Sequence, residues 1–152
     1  MTKRLLHNAQ VIDPEAGTIT RADIRIENGL ITQVSQSPLS ANPNEHSVDC
    51  HNKYLTPGII DIGVKVCEPG ERHKESFKSA GLAAAAGGIT TMVTRPDTTP
   101  AIDSPETLEF IARRANQATP VNVIPMAALT KGRNGREMSE IGFLMDAGAI
   151  AF

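Results

Sequence analysis

Tryptophan is absent from this chain, tyrosine occurs once, and aromatic residues make up only 3% of its 152 positions. Stacking platforms for single-stranded nucleic acid are built from such rings, so that class of binding is not expected. An excess of one charge is also missing. Fifteen Lys and Arg stand against seventeen Asp and Glu, a formal net charge of −2. That balance gives no electrostatic footprint for nucleic acid or an anionic membrane. No run approaches the ~20 apolar residues of a membrane-spanning helix. The start, Met1 to Asn8, carries Lys3 and Arg4 but no apolar core of signal-peptide length. Cysteine is scarce: Cys50 and Cys67 form neither a CxxC nor another zinc-type spacing. A disulfide between them has no secretory context to favour it. These absences lead to the expectation of a cytoplasmic protein with reduced thiols. Glycine-rich phosphate loops of the GxxxxGK[ST] or GxGxxG type are lacking as well.

What is present fits a soluble globular protein, with 40% hydrophobic and 21% charged residues and a length suited to one ordinary domain. Residues 1–55 read as short strands. Ile24 and Ile26 alternate with Arg25 and Glu27, and Asn28-Gly29 is a two-residue hairpin turn leading into Leu30–Ser35. Pro38–Glu45 is a polar loop, and Ser47–Cys50 a further strand. From Pro57 the pattern becomes strand, helix, strand, helix. Ile59–Val66 predicts a buried strand, and Arg72–Ala86 a helix stopped by Gly87-Gly88. Ile89–Thr94 is the next strand. Ser104 is an N-cap with Pro105 and Glu106 in the first turn, and Leu108, Ile111, Ala112 and Ala115 mark one helical face. Val121–Ala127 is a third strand, Glu137–Ala147 a third helix with Met138, Ile141 and Met145 inward, and Ile150–Phe152 begins a fourth strand.

The stretch Pro57-Gly58-Ile59-Ile60-Asp61-Ile62-Gly63-Val64-Lys65-Val66-Cys67-Glu68-Pro69-Gly70 resembles the first barrel strand of dihydroorotases and related cyclic amidohydrolases. That strand reads Pro-Gly-(Leu/Ile)-(Val/Ile)-Asp-x-His-x-His-x-Arg-Glu-Pro-Gly in the family. Thr94-Arg95-Pro96-Asp97-Thr98-Thr99-Pro100 is similar to the family's Met-Pro-Asn-Thr-x-Pro segment after the second strand. Asn8–Pro14, Asp23–Val34, Ala83–Thr91, Leu129–Gly132 and Gly148–Phe152 resemble further family segments, so the likeness covers nearly the whole chain. It implies an α/β protein. A small amino-terminal β-sandwich-like composite domain, 1–55, would precede the first half, about four β/α units over 56–152, of an amidohydrolase (β/α)8 TIM barrel. A half-barrel leaves a strand edge and apolar surface uncovered. The chain is therefore expected to be a piece of a longer protein, or to be completed in a homo- or hetero-oligomer.

The departures from the family pattern carry the functional reading. Residues i and i+2 of a strand point to one side, so His-x-His aims two imidazoles at one zinc ion. Gly63 and Lys65 stand at those metal positions. Glycine has no donor atom, and an ammonium has three N–H donors, no acceptor and a repelling charge. The family holds its substrate's carboxylate with the arginine and asparagine that Cys67 and Asp97 replace. A thiol cannot fork onto a carboxylate as a guanidinium does, and Asp97 repels an anion. Active relatives use metal-activated hydroxide and a carboxylate proton shuttle. This chain is expected to have no catalytic residue and no metal, where active members hold zinc. Lys65 is expected to be ion-paired with Asp61 or Asp97, because a buried unpaired lysine is costly; the alternative is that it merely fills space at a retired site. His7, His46, His51 and His73 are scattered, and Lys131–Arg136 is a basic turn, read as solvated.

The resemblance thus implies a dihydroorotase-like protein of pyrimidine biosynthesis, non-catalytic and a structural partner of aspartate transcarbamoylase. The alternative is an active dihydroorotase or other cyclic amide hydrolase with an atypical site, Lys65 stabilising charge and Asp97 reading a neutral or cationic substrate.

Overall fold

A computed structural model describes residues 2–152. The chain divides into two compact units, one ending at Pro57 and the other running Gly58–Phe152.

The first unit is one mixed sheet. Strands β1 (Lys3–Asp13), β2 (Thr18–Glu27), β3 (Leu30–Ser35) and β4 (His46–Asp49) lie in the order β3-β2-β1-β4, and β5 (Tyr54–Leu55) also pairs with β1. The chain itself supplies a single layer of the expected sandwich-like domain. Asn28-Gly29 forms the tight turn of the β2–β3 hairpin, with φ of 53° and 81°, the positive values a right-twisted hairpin favours. β1 bulges between Leu6 and Ala9, and a buried carboxylate serves that bulge. Asp23 Oδ1 accepts the Asn8 N–H (2.9 Å), and Oδ2 accepts the Leu39 N–H (2.8 Å) from the following loop.

The second unit is a parallel β/α array. Strands β6 (Ile59–Val64), β7 (Ile89–Thr94) and β8 (Asn122–Pro125) pair in that order. Helices α1 (Phe77–Ala86), α2 (Pro105–Ala118) and α3 (Ile141–Asp146) follow them in the chain. Phe77, Ala80, Leu108, Ile111, Ala115 and Leu144 from the helices close over Met92 and Val66 to form the core. Full burial of each large side chain there contributes about 1.5–3 kcal/mol. α2 begins as its residues dictate: Ser104 Oγ accepts the Thr107 N–H, Pro105 opens the helix, and Glu106 sits in the first turn.

Several expectations need correction. Ile59–Val66 is not a buried strand: β6 ends at Val64, and Ile59, Ile60 and Ile62 are exposed because nothing in this unit covers that face. α1 starts at Phe77, not Arg72, because Ser76 and Ser79 form a reciprocal capping box and the Phe77 N–H is taken by the Glu68 carboxylate. α3 is shorter than Glu137–Ala147, and Met138 and Met145 are exposed; Leu144 is the residue that reaches the core. Met138 instead lies in an isolated antiparallel bridge with Thr130. Ile150–Phe152 forms no ladder, and one bond, from the Ala127 N–H to the Ala151 carbonyl (3.0 Å), ties it beside the end of β8.

Candidate functional site

In a parallel β/α array the loops at the carboxyl ends of the strands form the mouth where chemistry is placed. Here that rim carries Lys65, Cys67, Arg95 and Asp97. Two loops build it. Thr99 N–H bonds to the Pro69 carbonyl (3.3 Å), and Gly70, at φ +104°, lies so close that an added Cβ would sit 2.7 Å from Thr99 Cβ and from its carbonyl oxygen. Glycine is therefore required at 70 both by the backbone and by the space.

The loop after β6 is anchored from below by Glu68, whose side chain is nearly buried. Its Oε1 accepts from Arg114 Nε (2.8 Å) and faces Arg72 Nε (3.6 Å); its Oε2 accepts the Phe77 N–H (3.0 Å). Burial pushes this carboxyl's pKa up. The hydrogen bonds from Arg114 and Phe77, with the charges of Arg114 and Arg72, outweigh that and hold it below its ordinary value.

Position 63 is the centre of the departure. Ile62 pairs with Val93 and Val64 with Thr94, so Gly63 is an extra residue in β6, and its φ is +91°. A bulge of this kind interrupts the alternation of side chains. The i, i+2 rule that would set residues 63 and 65 on one side therefore fails at this point of the strand. An added Cβ at Gly63 would meet nothing within 4 Å. There is room for a side chain, and the obstacle is the backbone.

Lys65 pairs with Asp97, Nζ to Oδ2 at 3.6 Å, and not with Asp61 among the described residues. The premise of a buried lysine is wrong. Its side chain is 55% exposed, because Lys65 lies just past the end of β6 on an open rim, while Asp97 is only 7% exposed. A second cation, which sequence reasoning missed, completes the cluster: Arg95 Nη2 lies 3.1 Å from the same Oδ2. The available signal was that Arg95 stands where the family segment has methionine. Asp97 Oδ1 and the Thr94 hydroxyl are buried without a hydrogen-bond partner. Cys67 is a half-buried free thiol, and its backbone carbonyl accepts the Glu71 N–H (2.8 Å).

These residues do not fit a divalent metal. Gly63 has no donor, Lys65 presents an ammonium already engaged by a carboxylate, and no group of three His, Cys, Asp or Glu among the described residues converges on a point. His7 and His51 both lie near Asp49, at 4.0 and 3.6 Å, in the first unit. A cleft of about 650 Å³ is lined by Thr91, Arg113, Asn116 and Asn122 beside α2, away from the rim residues. No described helix is long and apolar enough to cross a membrane.

The family described as Dihydro-orotase-like matches residues 52–152. A dihydroorotase of Geobacillus kaustophilus is 40% identical over 137 residues, 90% of this chain and 32% of that protein. A dihydroorotase of Sulfurihydrogenibium sp. is 36% identical over 148 residues, 97% of this chain and 35% of that one. The chain thus spans about a third of the length of the curated relatives it matches. Among solved structures, an L-hydantoinase (dihydropyrimidinase) from Arthrobacter aurescens superposes over 100% of this chain and 32% of its own, with a TM-score of 0.87 at 24% identity. A D-hydantoinase from Thermus sp. covers 94% of this chain and 30% of its own, with a TM-score of 0.70 at 25% identity. β6, β7 and β8 with their helices are the opening units of such a TIM barrel.

Proposed function

The chain belongs to the dihydroorotase-like family, and on that premise we propose that it is a non-catalytic member. In this reading it serves pyrimidine biosynthesis in the cytoplasm as a structural partner of aspartate transcarbamoylase, within a homo- or hetero-oligomer. The observation that carries it is the Lys65–Asp97–Arg95 ion cluster beside Gly63. By the family resemblance, Gly63 and Lys65 stand at metal-ligand positions and Asp97 at a position of the carboxylate clamp, with Arg95 beside them. A resident metal has no ligand set here, and Asp97, engaged by two cations, offers no amide N–H to hold a substrate carboxylate. Sedimentation of the full-length protein mixed with aspartate transcarbamoylase tests the partnership. A joint species larger than either component is expected, and two independent boundaries contradict it.

A second reading rests on Asp97 Oδ1, buried and free to accept a hydrogen bond. Under it the mouth turns over a neutral or cationic cyclic amide, with Asp97 accepting the ring N–H and Lys65 stabilising developing charge. Hydrolysis of a cyclic amide or ureide that disappears in Asp97→Ala would establish this reading over the first.

A further inference from the structure

We infer that the metal site is closed in the backbone of β6 and not only in its side chains, so that returning two histidines to positions 63 and 65 does not recreate a chelating pair. The inference rests on reading those positions as the family's metal positions. It goes beyond that reading, because a site lost by side-chain substitution alone would reopen when the side chains return.

Two features of the strand carry it. Gly63 is the extra residue of a bulge, set between Ile62 opposite Val93 and Val64 opposite Thr94. Two imidazoles on a regular strand converge because i and i+2 project to one side. An inserted residue breaks that phase and re-aims the side chains beyond it. The φ of +91° at Gly63 also lies beyond the narrow left-handed region that non-glycine residues visit. His51, at φ 48°, shows that this chain tolerates histidine at the edge of that region; position 63 is well outside it. Nothing within 4 Å blocks a Cβ at 63, so crowding is not the obstacle.

The test compares two His-x-His pairs in the full-length chain. One is Gly63→His with Lys65→His. The other is Thr18→His with Thr20→His, on a stretch of β2 whose pairing with β1 is regular. Zinc affinity is measured by competition with a chromophoric chelator, with the unaltered chain as baseline. The β2 pair is expected to bind above baseline, and the β6 pair to bind weaker than it by about tenfold or more, as when one of two ligands is lost. Equal or tighter binding by the β6 pair overturns the inference. Should the double variant fail to fold, Gly63→Ala alone decides the matter: a fall in Tm of about 3 °C or more is expected from a methyl forced to positive φ, and an unchanged Tm overturns the inference. Metal held by the unaltered chain would instead contradict the proposed function, so the two failures are distinguishable.

Discussion

Glu68 and Asp97 are two nearly buried carboxylates on adjoining loops of one mouth, and they are held in opposite ways. Glu68 uses both oxygens. Arg114 and the first amide of α1 bond to it, so that it joins the loop after β6 to two helices. Asp97 uses one oxygen, and its partners Lys65 and Arg95 are long side chains about half exposed to solvent. Among the described residues its other oxygen has no partner. The first arrangement is a buried network whose members cannot stand alone. The second is a surface-type ion cluster, which contributes little. The loop after β6 is thus held by a buried network at Glu68, while the ion cluster at Asp97 rests on half-exposed side chains.

The difference between the two carboxylates should show most strongly at Glu68. Glu68→Ala leaves Arg114 and the Phe77 amide without their acceptor and is expected to cost about 3 kcal/mol, read from urea unfolding; a loss comparable to that of a rim variant would erase the distinction. The same carboxylate makes stability depend on acid. Its folded pKa lies below the ordinary 4.5, so its contribution is full above that value and is lost as pH falls through the folded pKa. Unfolding free energy should fall more steeply below pH 4.5 in the unaltered protein than in Glu68→Gln. Gly70→Ala, which drives a methyl against Thr99 at positive φ, should cost about 2 kcal/mol in the same unfolding assay. Lys65→Met should cost about 0.5 kcal/mol or less, since the pair is half exposed. A loss above ~3 kcal/mol would mean that Lys65 supports partners unable to stand without it.

Local chemistry was legible in the sequence wherever neighbours in the chain decide the outcome. Ser104-Pro105-Glu106 starts a helix and Asn28-Gly29 turns a hairpin, as their residue types require. The family frame around Gly63 and Lys65 was equally readable. What escaped depends on residues distant in sequence or on backbone phase. Glu68 meets Arg114 across 46 positions, and nothing local announces that bond. The start of α1 at Phe77 depends on the same carboxylate. The choice of Asp97 over Asp61 as the partner of Lys65 depends on where β6 ends and how the next loop returns. The bulge at Gly63 is invisible to a reading that treats β6 as regular. Met138 was misplaced because it lies before α3, in the bridge with Thr130, and Met145 because apolar spacing in so short a helix leaves its inward face undetermined; Leu144 took the core position.

Whether this mouth holds a catalytic metal is decided by elemental analysis of the longest natural form of the protein, purified without chelator, incubated with excess zinc and desalted. Retention of essentially no zinc, manganese or iron is the predicted result. One or two ions retained per chain would mean that other ligands rebuild the site, and the non-catalytic reading would fall.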